Sequence, residues 1–79
     1  MKQLFDRITI NPNILLGKPV IRGTRIPVYV VVNLVAQGKD TAYVRTQYPN
    51  LTKEDVTQAI AYAAWSTRAL DDAFHMPHV

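Results

Sequence analysis

Between residues 17 and 28 the chain reads GKPVIRGTRIPV, and its glycines and prolines limit the fold more than any other stretch. Gly17, Pro19, Gly23 and Pro27 leave no room there for a helix or a long strand, because proline lacks a backbone donor and glycine weakens regular structure. What fits is a pair of short β-prone pieces, Pro19 to Arg22 and Thr24 to Ile26. They flank Gly23, which takes the positive φ of a tight reversal at little cost. Upstream, Arg7-Ile8-Thr9-Ile10 alternates polar and apolar residues as a short strand does. Asn11-Pro12-Asn13 then ends it with three turn-formers. The opening third is expected to be a small β-element of two or three strands.

Residues 28 to 37 carry two signals. Val28, Val30, Val31 and Val32 are β-branched and suit a buried strand. Pro27 suits a helix's first turn, and Gly38 stands where a helix ends, so the segment is read as a buried helix. A second helix is capped by Asp40, covers Thr41 to Gln47, and stops where Pro49 disfavours a helical Tyr48. The third has the strongest start: Thr52 as N-cap, Asp55 as the third helical residue, and Leu51 with Val56 as a hydrophobic staple. Nothing breaks it before Pro77, which predicts a helix to about Ala73.

At ~100° per residue, Val56, Ala59, Ile60, Ala63, Leu70 and Phe74 fall on one face of that helix as a core stripe. Tyr62, Trp65, Ala69 and Ala73 gather on roughly the opposite side. A chain of 79 residues buries only roughly 60% of its unfolded surface, so it has little material to cover both faces. A dimer or a partner is therefore expected at Tyr62 and Trp65. Residues 1–65 are read as one compact unit and 66–79 as a helical extension and tail.

The chain has no cysteine, which removes disulfides and thiolate metal sites and fits a reducing cytoplasm. Met1 to Asp6 contains no apolar signal-type run, and no apolar stretch approaches the roughly 20 residues of a membrane span. A soluble, cytoplasmic protein without membrane contact is expected.

The net charge of +3 is unevenly spread. Up to residue 48 seven cations face two acids; from residue 49 on, two cations face four acids. An anionic partner for the first half follows, with a plain solvated surface as the alternative. Lys18, Arg22 and Arg25 concentrate on the β-element, where Arg forks suit phosphate oxygens. A P-loop is excluded, since Gly17-Lys18 precedes Pro19 and Gly23 precedes no lysine. The second and third helices have the proportions of a helix-turn-helix, with Lys53, Thr57 and Gln58 as the groups able to face a nucleic acid. His75 and His78 stand three apart, but Pro77 breaks the helix that would aim them, and neither a metal nor a cofactor is assigned. No serine–histidine–acid set can be placed, so catalysis is not expected.

Several elements together resemble a known family: Gly17-Lys18-Pro19, Ile21, Gly23-Thr24-Arg25-Ile26-Pro27-Val28, Gly38, Tyr48-Pro49, Leu51-Thr52 and Ile60-Ala61-Tyr62-Ala63. In this order they resemble the small prokaryotic family called domain of unknown function 433, over about residues 7 to 65. The resemblance implies a mostly α fold with a small N-terminal β-element. Its core would be a homeodomain-like, winged-helix-type three-helix bundle containing a helix-turn-helix. It also implies an antitoxin of a type II toxin–antitoxin module that dimerises, binds its own operator DNA and masks a PIN-like ribonuclease toxin with a C-terminal segment. Arg68, Leu70 and Phe74 would then join Tyr62 and Trp65 as the dimer or partner surface, with Arg68 the tail's one arginine able to reach the nuclease's acids. The alternative is a small interaction protein or ligand- or haem-responsive regulator without DNA affinity.

Overall fold

A computed structural model describes residues 5–73, with side chains through residue 67. The chain forms strand β1 (Ile8–Thr9), a single tight turn at Leu15–Gly17, strand β2 (Val20–Ile21), and helices α1 (Val28–Ala36), α2 (Thr41–Gln47) and α3 (Lys53–Ala73). The strands pair antiparallel, with Ile8 opposite Ile21 and Thr9 opposite Val20. A lone bridge from Val20 to Pro27 stands where a third strand was a possibility.

Each element has a local cause. Gly23, at φ +77°, reverses the chain after β2. Thr24 locks that reversal: its backbone N–H and hydroxyl both donate to the Ile21 carbonyl, at 3.0 and 2.8 Å. The Ile26 N–H then donates to the Thr24 hydroxyl oxygen at 3.0 Å. Pro27, extended at ψ 147°, is the N-cap of α1. At the other end Gly38 takes φ +88°. Its N–H donates to Val35 at 2.9 Å while that of Lys39 donates to Leu34 at 3.0 Å, the paired bonds of a Schellman stop. The stop and the proline start select the helix over the strand that the valines alone favour.

Helix α2 begins as its sequence dictates, with the Tyr43 N–H donating to the Asp40 carboxylate at 2.8 Å. It ends at Tyr48, whose φ of −131° is non-helical ahead of Pro49. At the start of α3 the capping box closes in both directions. The Asp55 N–H donates to the Thr52 hydroxyl at 3.0 Å, and the Thr52 N–H to the Asp55 carboxylate at 2.9 Å.

The core collects Ile8 and Ile21 from the strands, Val28 and Val31 from α1, Val44 from α2, and Leu51, Val56 and Ala59 from the last turn and α3. Helix α1 packs on α3, α2 bridges both, and β1 lies against α3. Burying one such valine or leucine contributes about 1.5–3 kcal/mol, so these few residues decide whether the bundle holds.

One expectation about α3 is corrected. Tyr62 is half-buried against the core and Ile60 is 38% exposed, the reverse of their assigned faces. The inward arc is Asp55, Val56, Ala59, Tyr62 and Ala63, because the N-terminal segment packs on the flank of α3 and brings Phe5 onto Tyr62, ring centroids 5.4 Å apart. Trp65 joins the same cluster at 5.8 Å from Phe5 and 5.9 Å from Tyr62. The face that seemed to need a second molecule is thus partly covered by the chain's own beginning.

Candidate functional site

The cations of the β-element have different settings. Arg25 is exposed, with no carboxylate partner among the described residues. Arg22 is exposed too, but its Nε donates to the Asp6 carbonyl, and its own carbonyl accepts from Arg7 Nη2 at 3.5 Å. Arg22 therefore helps to hold the segment before β1 as well as carrying charge outward. Lys18 is exposed as well, with its Nζ 5.5 Å from the centroid of the Tyr29 ring on α1.

At the head of α3 a polar network fastens the N-terminal segment to the helix. Asp55 is 1% exposed. One carboxylate oxygen accepts from Arg7 Nε at 2.6 Å, the other from the Thr52 backbone. Burial alone would raise its pKa, but the Arg7 guanidinium and Thr52 outweigh that, and the carboxyl sits below its ordinary value. The hydrogen bond to Asp55 in turn raises Arg7. Gln58 completes the clamp: its carbonyl oxygen accepts from the Arg7 N–H at 2.8 Å, and its amide donates to Asp6 at 2.6 Å and Glu54 at 3.0 Å. The bond from Gln58 lowers the Asp6 carboxyl.

Of the residues expected to face a nucleic acid from α3, Gln58 is held in this internal network rather than presented to a base. Lys53 and Thr57 are exposed, although the Thr57 hydroxyl donates to the Lys53 carbonyl at 3.0 Å. Sequence reasoning missed Arg7 and Asp6 as parts of the site's frame. The available signal was the capping-box Asp55, an acid at a position where the core-facing side of α3 also runs.

Helix α1 carries no charged residue and buries only Val28 and Val31. Val32 and Val35 of α1 and Ile60, Ala63, Ala64 and Thr67 of α3 line an open trough, with a part of about 380 Å³ between them. A second part of about 250 Å³ adjoins it through Val32, Ala63 and Thr67 and reaches Lys18 and Tyr29. The side chains of Arg68 and Leu70, and the whole of Phe74, His75 and His78, lie outside the described residues. Among the described residues no cluster of His, Cys, Asp or Glu could hold a metal ion, and no helix is long and apolar enough to cross a membrane.

Such a chain is a small helical bundle fronted by a two-stranded antiparallel sheet. It belongs to the family described as protein of unknown function (DUF433), whose pattern it matches over residues 8–63. A crystal structure of a DUF433 member protein from Anabaena variabilis ATCC 29413 is similar, with a TM-score of 0.72 and 33% identity, covering 89% of this chain and 69% of that one. The uncharacterized protein y4eO of Sinorhizobium fredii (strain NBRC 101917 / NGR234) is 43% identical over 56 residues. That match takes in 71% of this chain but only 25% of the relative, so the chain spans about a quarter of that protein.

Proposed function

We propose that this protein is a non-catalytic, DNA-binding regulator of the antitoxin type, acting as a dimer in the cytoplasm on its own operator. The observation that carries the reading is the excess of exposed cations in the first half, where Lys18, Arg22, Arg25, Lys39 and Arg45 stand against the exposed Asp6 and Asp40. Asp40 caps α2, Asp6 and the exposed Glu54 beside Lys53 are bonded to Gln58, and Asp55 is buried against Arg7. Arg25 and Lys53, by contrast, are exposed without a carboxylate partner among the described residues. Lys53 opens α3, the second helix of the α2–turn–α3 pair, which has the element order of a helix-turn-helix. In this function Arg22, Arg25 and Lys53 contact phosphates, Thr57 faces the groove, and Gln58 holds the reading helix in place.

The partner of such an antitoxin is a PIN-like ribonuclease, engaged by the segment beyond Ser66 with Arg68 directed at the nuclease's carboxylates. Trp65, 49% exposed, lies at or near the dimer seam. The deciding experiment measures duplex DNA affinity against salt concentration. Each lost phosphate contact lowers the slope by about 0.9, so Arg25→Ala with Lys53→Ala is expected to lower it by about 2. A slope unchanged in the folded double variant, or no DNA affinity at low salt in the parent, rejects the assignment.

A further inference from the structure

The turn from Ile21 to Ile26 is held at both ends. The Ile21 N–H donates to the Ile26 carbonyl at 3.0 Å, and the Thr24 N–H and hydroxyl both return to the Ile21 carbonyl. The Ile26 N–H closes on the Thr24 hydroxyl, so the residues on both sides of Arg25 are anchored. At the tip Gly23 bears no side chain, and nothing lies within 4 Å of the place its Cβ would take. The tip is uncrowded, and a large surface can come close to it.

The exposed cations of the first half differ in what their ends meet. Lys18 lies over the Tyr29 ring and Lys39 over that of Tyr43. Arg22 Nε donates to the Asp6 carbonyl, and Arg45 Nε to the Leu51 carbonyl at 3.2 Å. The Arg25 side chain alone meets no partner among the described residues. A guanidinium carried on a fixed backbone binds at a lower ordering cost than one on a loose loop. The outer side of α3 offers little to set beside it. Thr57 gives its hydroxyl to the Lys53 carbonyl, Gln58 is held by Arg7 and Asp6, and the exposed Ala61 and Ala64 carry no side-chain donor or acceptor. Reading of base edges in the major groove by α3 is therefore poorly equipped.

The minor groove of B-DNA is about 6 Å wide, too narrow for a helix of about 10 Å diameter but open to one extended arginine. Where A·T tracts narrow it, its negative potential deepens and draws guanidinium groups in. A G·C pair instead adds the guanine N2 amino donor where a guanidinium needs acceptors. We infer that Arg25 enters the minor groove and makes the protein prefer A·T-rich DNA at that contact. This assignment rests on the DNA-binding reading and adds to it the groove and the class of base pair. Between the two phosphate rows Arg25 still displaces counterions, so the salt dependence expected of it is unchanged.

The test uses the full chain and three duplexes of equal length, built of A·T, inosine·C and G·C pairs. Inosine·C keeps the major-groove pattern of G·C but lacks the N2 amino group, so its minor groove resembles that of A·T. Binding is read by fluorescence anisotropy at low salt. The parent is expected to bind the A·T and inosine·C duplexes alike, and about tenfold more tightly than G·C, within the usual cost of one wrong base pair. Arg25→Ala should bring all three to one affinity with an unchanged urea midpoint, since its side chain holds nothing in the fold. Arg25→Lys should keep the G·C affinity within about twofold and lose most of the preference, because the ammonium is more strongly hydrated. Equal binding of the three duplexes by the parent overturns the inference and leaves the DNA-binding reading intact. Inosine·C bound as weakly as G·C moves the contact to the major groove and overturns it too, as does a preference that survives Arg25→Ala. No affinity for any duplex overturns both proposals.

Discussion

Arg7 Nε lies 2.6 Å from Asp55 Oδ1, joining the approach to β1 to the first turn of α3 across 48 positions of sequence. The pair is asymmetric: the Asp55 side chain is 2% exposed and that of Arg7 34%. Removing Arg7 leaves a buried carboxylate with only Thr52 to hold it, whereas removing Asp55 leaves an arginine that water can reach. Asp55→Ala nevertheless also opens the capping box, so it is expected to cost about 3 kcal/mol in urea denaturation. Arg7→Ala should cost about 2 kcal/mol. A coupling energy near zero in the double-mutant cycle would show that the ion pair contributes nothing beyond its parts.

The same pair sets an acid limit. Because the folded pKa of Asp55 is lowered, the unfolded chain binds more protons in the interval between the folded value and the unfolded one near 3.9. Stability from this group is therefore complete above about pH 4 and is lost as pH falls through the folded value. Asp55→Asn should flatten the decline below pH 4 relative to the parent. Parallel decline in both proteins would assign acid unfolding to other carboxylates.

Gln58 is expected to act on the N-terminal segment. Gln58→Ala removes an acceptor for the Arg7 N–H and a donor for Asp6. Amide exchange at Arg7 should accelerate by at least about fivefold, corresponding to one hydrogen bond of ~1 kcal/mol, while exchange in α1 changes little. Unaltered protection at Arg7 would mean that β1 is fixed by its strand partner alone.

Two backbone positions separate conformational cost from packing cost. Gly23 has φ +77° and nothing within 4 Å of an added Cβ, so Gly23→Ala should lose only the left-handed penalty, about 1 kcal/mol. Leu16 has φ +58° and is 94% exposed, a leucine held in a conformation that asparagine tolerates better. Leu16→Asn is expected to leave stability unchanged or raise it by up to about 0.5 kcal/mol in thermal denaturation. A loss above 1 kcal/mol would show that the Leu16 side chain has a structural task.

The aromatic cluster supplies an optical readout. Phe5 covers part of both Tyr62 and Trp65. Phe5→Ala should shift Trp65 emission to the red and cost about 1–2 kcal/mol, below the usual range for a fully buried phenylalanine because Phe5 is only half-buried. An unchanged emission maximum would place another group over the indole.

The local elements were legible in the sequence because their causes are local. Gly23 with Thr24, the Gly38 stop after α1, Asp40 before α2, and the Thr52–Asp55 box each act within a few residues, and each forms the bonds its residue types allow. Even the helix over Val28–Ala36 was determined this way, its start and stop outweighing its valines. The faces of α3 were not. Helical periodicity groups Ile60 with the core and sets Tyr62 apart, since it knows the angle between side chains but not the direction from which neighbours approach. Phe5 and Arg7 arrive on the flank of α3 from about fifty residues away, and that arrival turned Tyr62 inward, left Ile60 partly exposed and bound Gln58 inside. Lys18 and Tyr29 likewise meet because the Val28 N–H donates to the Pro19 carbonyl and Val20 bridges to Pro27, which brings the two stretches side by side. Capping and turn chemistry are short-range and written in order along the chain, whereas which face is covered, and which charge keeps a neighbour, depends on residues distant in sequence and is decided by tertiary contact.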